Sequence, residues 1–469
     1  MKLDPAVIEA AIRAVLAEMP STGTDAAPTQ RSEGDGVFAD MGDAVEAAHR
    51  AWREYLTKSL ADRRRYIAAI REAMLRPEHL DKMSVDAVMQ TGMGDVADKY
   101  LKNKVAAELT PGVEDLETSA WSGDDGLTTV EYSAFGVIGA ITPTTNPTET
   151  ITCNTIGMLA AGNAVVFSPH PRARDLSVWQ VQTINRALRE AGAPENLVVT
   201  VAEPSIENTN KMMEHRKVQM LVATGGPGIV RTVLKSGKKA IGAGAGNPPV
   251  VVDETADIDH AAKCIVDGAS FDNNLPCTAE KEIIAVDAIA DLLKFHMVQH
   301  GAYELSAEQV KQLEGLILGE RGAATEWIGK SATAILEGIG VEPPAGVRLL
   351  VCEATKEHPF VQVELMMPVL GLVRAPDVDA AIDLAVELEH GNRHTAVMHS
   401  QNVSKLTKMG KLIQTTIFVK NGPSFTGIGI GGEGFTTFTI AGPTGEGLTR
   451  PRSFARSRRC VLVGDLNVR

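Results

Sequence analysis

Aromatic side chains are scarce: Phe, Trp and Tyr make up only 4% of 469 residues. A core without them is built from Ala, Val, Ile, Leu and Met. Cysteine is scarce too, at five residues spread thinly along the chain. An odd, dispersed set excludes a disulfide framework and fits a reducing compartment. Any special cysteine is then special for its reactivity. Basic residues are in the minority, 46 against 59 acidic ones, for a net charge of −13. That excludes a broad nucleic-acid surface. No apolar run reaches the ~18 residues of a membrane span, and the first residues lack the apolar stretch of a signal peptide. The expectation is a cytoplasmic protein. No CxxC or His/Cys cluster argues for a metal. What the chain does have is ordinary globular composition, 44% hydrophobic and 22% charged. Glycine is plentiful at 43 residues, often in pairs or short clusters, which points to loops that approach a ligand closely. The length suits two to four domains at ~100–200 residues each.

Residues 1–19 form a unit of their own. Asp4 and Pro5 resemble an N-cap and a first-turn proline. Ile8, Ile12, Val15 and Met19 then recur at helical spacing, giving one apolar stripe on a short amphipathic helix. Residues 20–36, PSTGTDAAPTQRSEGDG, hold no apolar side chain larger than Ala and read as a flexible linker. A helix so tethered either docks on its own body or lies in a groove of another protein.

From Val37 the pattern becomes compact. Met41, Val45, Ala48, Trp52 and Leu56 trace one helical face, and a second helix is expected over 62–75. Residues 127–141 read as strands broken near Gly136. Short apolar strands at 164–167, 197–201, 220–223, 250–252 and 282–286 then alternate with helices at 177–191, 209–215, 229–236, 258–269 and 288–300. Alternation of this kind predicts α/β architecture with parallel, doubly wound sheets, whose ligands sit beyond the carboxyl ends of the strands. Ser306 and Gln309 form a capping box for one more helix. The strand 459–463 has no partner nearby in sequence and is expected at an edge, where it pairs with another subunit.

The strongest local sign of chemistry is FDNNLPC, ending at Cys277. A thiol on such a turn meets ligand and lies close to backbone N–H groups that stabilise an oxyanion. Cys264, Cys352 and Cys460 lie in helical or strand-like runs and read as structural. Cys153, after a Thr-rich loop, is the only competitor. The run GAGAG at 242–246 does not open a helix, so it is no phosphate cradle. The turn ATGGPGIV at 223–230, with Thr224, Gly225 and Gly226, passes from strand to helix N-terminus and suits phosphate.

Taken in order, ITPTTNP (141–147), VVFSPHPRA (165–173), VATGG (222–226), GAGAGNPPVVVD (242–253), the Cys277 turn and ELMMPVL (364–370) resemble the aldehyde dehydrogenase superfamily. The resemblance runs from about residue 37 to the C-terminus. In detail it is most similar to the CoA-acylating branch, and within it to propionaldehyde dehydrogenases of bacterial microcompartments, with acetaldehyde-specific relatives of ethanolamine utilisation close behind. The resemblance implies a Rossmann-type dinucleotide-binding domain (37–126 and 136–240), an α/β catalytic domain (241–445) and a β oligomerisation element (127–135 and 446–469). It implies NAD and coenzyme A, a homodimer or homotetramer, an encapsulation role for residues 1–19 toward shell or cargo proteins, and a place in a microcompartment lumen.

The resemblance also implies roles for residues. Cys277 becomes the nucleophile. Thr145 or Asn146 becomes the oxyanion donor, because the family asparagine falls on one or the other. Glu364 matches the glutamate that holds the nicotinamide ribose. Thr142, Pro143, Ser168, His170, Pro171 and Arg172 join Thr224, Gly225 and Gly226 around the dinucleotide, with Ser168 in place of the family lysine. Gly242 stands where hydrolytic members carry the glutamate that activates water. Its lack of a carboxylate favours attack by CoA, and its lack of a side chain is expected to leave room for that longer thiol. The competing readings are a hydrolytic enzyme releasing free acid, which Gly242 argues against, and a cargo scaffold that has lost activity, which the retained Cys277 and Glu364 argue against.

Overall fold

The computed structural model describes residues 34–320 and 322–468. The helix expected over 1–19 and nearly all of the linker lie outside the described residues. Val37–Phe38, Val198–Val201, Ala164–Ser168, Val137–Ile141, Val218–Thr224 and Lys239–Ala243 form one six-stranded sheet in that spatial order. All its pairings are parallel. Strand 37–38 forms one edge; the chain then lays 137–141, builds through 164–168 and 198–201 toward that edge, and returns to lay 218–224 on the other side of 137–141. That reversal makes a crevice at the carboxyl ends of 137–141 and 218–224.

A second parallel sheet has seven strands. Its order is Ala302–Glu304, Leu349–Glu353, Val369–Ala375, Glu282–Val286, Pro249–Val252, Thr395–His399 and Ile417–Lys420. Strands 249–252 and 282–286 are buried along their whole length, as continuous Val/Ile runs covered by helices on both faces must be. Ser306 closes its capping box with Gln309 as the spacing predicts.

Three elements differ from the sequence reading. Helices Pro77–Thr91 and Val96–Leu109 fill a stretch for which the sequence pattern offered no element. In 96–109 the core face carries Lys99, Lys102 and Asn103, so polar residues interrupt the apolar period. The Thr-rich stretch before and after Cys153 is not a loop but helix Pro147–Ala160, every residue of which is buried. A helix enclosed on all sides has no polar face to reveal its period. Finally, Ala455–Val463 does have a partner in its own chain. It pairs antiparallel with Gly126–Ala134, which also pairs with Ser119–Gly123. This three-stranded sheet leaves 455–463 at one edge.

Candidate active site

The crevice predicted by strand order is a cleft of about 780 Å³. Its walls come from the carboxyl ends of the first sheet: Thr142, Pro143, Thr145 and Asn146 after one strand, Ser168, His170 and Pro171 after the next, Thr224, Gly225 and Gly226 after a third. Cys277 and Glu364 enter from the second sheet's side. Twelve of the fourteen residues singled out from the sequence therefore line one cavity.

Cys277 is held there by an unusual turn. Asp272, Asn273 and Asn274 take φ values of 48°, 53° and 63° in succession. Asn and Asp tolerate this left-handed region because their side chains bond locally. Here each one is tied down. Asp272 accepts the Asp95 N–H and donates its own N–H to Asp98. Asn273 donates to Gly329 O, and Asn274 to Ala269 O and Glu280 O. Lys281 Nζ closes the turn on Asn274 O and Oδ1. The Cys277 carbonyl lies so close to the 242–246 loop that a Cβ at Gly246 would sit 2.9 Å from it. The last glycine of GAGAG is thus a packing requirement.

Burial, followed by the Glu364 charge, pushes the Cys277 thiol up to about 12, against the opposing pull of Lys281. Burial also raises Glu364, while Lys281 and the Gly246 N–H pull it down. That N–H lies 3.4 Å from Glu364 Oε1. At rest Cys277 is a neutral thiol.

Thr145 and Asn146 both reach the cleft, in different states. Thr145 gives its carbonyl to Lys99 Nζ at 3.1 Å, and its hydroxyl accepts from Asn146 Nδ2 at 3.1 Å. Asn146 gives Oδ1 to Lys102 Nζ at 2.6 Å. An ammonium only donates, so the atom facing it is the amide oxygen and the NH2 faces away from it.

A family model for the aldehyde dehydrogenase family matches residues 17–435. The chain belongs to the aldehyde dehydrogenase family. Rhodopseudomonas palustris propionaldehyde dehydrogenase, solved with bound CoA and an acylated cysteine, is 63% identical, with 93% of this chain and 100% of that one covered at a TM-score of 0.92. A propionaldehyde dehydrogenase from the fucose utilisation microcompartment of Clostridium phytofermentans is 52% identical over 92% and 100% of the two chains, at a TM-score of 0.91. The CoA-propanoylating propanal dehydrogenase of Citrobacter freundii is 49% identical over 98% of this chain and 99% of that protein.

Two residues of this aldehyde dehydrogenase stand apart from the cleft. Arg172 does not line it; the side chain is exposed, and the backbone N–H bonds His170 Nδ1. Gly242 does not line it either. A Cβ there would meet Val230 Cγ1 at 2.6 Å, on helix Pro227–Leu234. The space that glycine saves is filled by Val230, so the expected room for a longer thiol is not found at this position. What remains at 242 is the missing carboxylate. Cys153, the competing thiol, is sealed in helix 147–160 beside Thr110.

The cleft fits a dinucleotide. Thr142 Oγ1 is buried with no protein partner. Gly226 caps helix 227–234 without any side-chain bond, and a Cβ on it would meet nothing within 4 Å. Free first-turn amides beside open space suit a phosphate.

Sequence motifs passed over four buried ionisable groups around this site, Lys99, Lys102, Glu149 and Lys281, and gave no role to a fifth, Asp272 of the Cys277 turn. They also passed over His394, which packs against Gly246 and which burial pushes down to about 4. The signal for the lysines was there, at i and i+3 on a face otherwise made of core residues.

Proposed function

We propose that this chain is a CoA-acylating aldehyde dehydrogenase that converts propionaldehyde, CoA and NAD to propionyl-CoA and NADH. The observation that carries this is the composition of the cleft. One half-buried thiol shares it with an asparagine amide, and among the described lining residues Glu364 is the only carboxylate. The 63% identity to an enzyme holding CoA and an acylated cysteine supports the same reading.

Cys277 Sγ gives its proton to solvent water and bonds to the aldehyde carbon, giving a thiohemiacetal in its oxyanion form. The carbonyl oxygen is held by the Cys277 N–H and by Asn146 Nδ2. Asn146 is preferred to Thr145 because the Lys102 ammonium on its Oδ1 fixes its NH2 and strengthens it as a donor; one of its two hydrogens goes to Thr145 Oγ1 and the second is left for the substrate. Thr142, Gly225, Gly226 and Glu364 hold the dinucleotide, with Ser168, His170 and Pro171 along its far end. NAD held by these residues would supply the acceptor for the hydride that the thiohemiacetal carbon gives up. Collapse of the oxyanion leaves a thioester on Cys277. The CoA sulfur then bonds to the acyl carbon, the bond to Cys277 breaks, and the CoA thiol proton returns to Cys277. With no carboxylate at 242, water is a poor competitor for that thioester.

Residues 1–19 are proposed to carry the enzyme into a microcompartment, through an apolar stripe that packs on a shell or cargo protein. Strands 119–123, 126–134 and 455–463 are proposed as the contact between subunits, with Trp121, Val461 and Val463 exposed on them. The deciding experiment mixes enzyme, propionaldehyde and NAD with and without CoA. NADH should accumulate beyond one equivalent only with CoA present. Sustained CoA-independent turnover to propionate refutes the reading.

A further inference from the structure

Lys102 is fully buried, yet it belongs to none of the motifs. Its ammonium donates to Asn146 Oδ1 at 2.6 Å and lies 2.6 Å from Asp272 Oδ2 and 3.1 Å from Glu149 Oε1. Three oxygens thus surround a group with three protons. The two carboxylates outweigh the cost of burial and hold its pKa above the usual lysine value. The partners come from two elements: helix 147–160 gives Glu149 and, at its N-cap, Asn146, and the turn before Cys277 gives Asp272.

A purely structural ion pair would account for Lys102, Glu149 and Asp272. It does not account for Asn146. Asparagine at an N-cap ordinarily bonds the first-turn amides of its own helix. Asn146 stands at the N-cap of helix 147–160 and makes no such bond. Its oxygen goes to Lys102 instead. A buried cation on the amide oxygen fixes which way the amide points and draws electron density away from its N–H groups. We propose that Lys102 is a positioning residue for the oxyanion donor. It clamps and polarises Asn146, and through Asp272 it ties that amide to the turn that sets Cys277. This inference rests on the acyl-transfer reading of Cys277 and Asn146.

The test is a double-mutant cycle on the full chain, with kcat and KM read for propionaldehyde, NAD and CoA. Asn146→Ala tests the reading beneath the proposal. Loss of one oxyanion donor costs about 10²–10³ in kcat, and an unchanged kcat would remove Asn146 from the oxyanion site and Lys102 with it. Lys102→Met tests the proposal itself. Because a misplacement of about 1 Å costs on the order of 10²-fold, kcat should fall by roughly that factor with the KM for NAD unchanged. In the Asn146→Ala background, the same Lys102→Met change should cost less than about threefold, since residues acting through one another are non-additive.

Removing one buried cation leaves Glu149 uncompensated and threatens folding. The charge-balanced pair Lys102→Met with Glu149→Gln therefore repeats both arms of the cycle. A full kcat in either Lys102 variant overturns the proposal. So does an equal loss with and without Asn146, which would show that Lys102 acts on the fold and leave the acyl-transfer reading standing.

Discussion

The state of the resting thiol can be measured directly by alkylating Cys277 with iodoacetamide across pH, in the enzyme free of substrates. Burial and the Glu364 charge hold this thiol at about 12. Near pH 7.5 its thiolate fraction is then roughly 3 × 10⁻⁵, against about 0.1 for an unperturbed cysteine thiol. The ratio is on the order of 3,000. A more basic thiolate is also a better nucleophile, and with a Brønsted slope of about 0.4–0.5 the gain is roughly 25–55-fold. The net expectation is alkylation about 10²-fold slower than a free thiol. The rate should climb tenfold per pH unit with no plateau below about pH 10. Cys460 is exposed and reacts first, so the measurement belongs in a Cys460→Ser background, with mass spectrometry of the Cys277 peptide. Glu364→Gln removes a negative charge that disfavours the thiolate and should speed alkylation, while raising the KM for NAD. A plateau with its midpoint below pH 8.5 would refute the picture of a neutral thiol awaiting activation.

Other expectations follow from separate parts of the molecule. Deleting residues 1–19 should leave kcat intact and abolish recovery with purified shells; shells that still carry the truncated enzyme refute the targeting role. Gly242→Glu alone should impair both reactions, because its Cβ collides with Val230. Paired with Val230→Ala, it should raise propionate release relative to propionyl-CoA, and an unchanged product ratio refutes the role of the absent base. His399 is buried with both ring nitrogens unpartnered, and burial pushes it down to about 4. A histidine lowered in the folded state disfavours protonation there, so folding stability is lost as pH falls from about 6.5 to 4. Thermal melts of His399→Leu should lose less over that window, and a parallel pH dependence in the two proteins counts against the assignment.

Much of this was legible in the residues. Short apolar strands alternating with amphipathic helices announce parallel α/β sheets, and the strand-then-glycine turns mark where the cleft opens. The Asp-Asn-Asn run before Cys277 also shows its purpose once the three left-handed φ values are seen. Other features resist a linear reading for definite reasons. Helix 147–160 is enclosed on every side, so its threonines carry no period. Lys99 and Lys102 look like surface charge until the carboxylates that neutralise them arrive from positions 149 and 272. The direction of a missing Cβ at Gly242 depends on how helix 227–234 packs, which no motif states. The partner of 455–463 lies some three hundred residues upstream, beyond any local pattern.

That last pairing governs when the molecule can be finished. Residues 126–134 emerge early in synthesis, and their neighbour on one side arrives only with 455–463. The same late segment supplies Phe454, which packs into the first core, and its carbonyl accepts from Asn163. The half of the chain made first is therefore completed last. Until then it carries an unpaired strand edge and an open seam in its core, and during that interval the nascent chain is most exposed to aggregation.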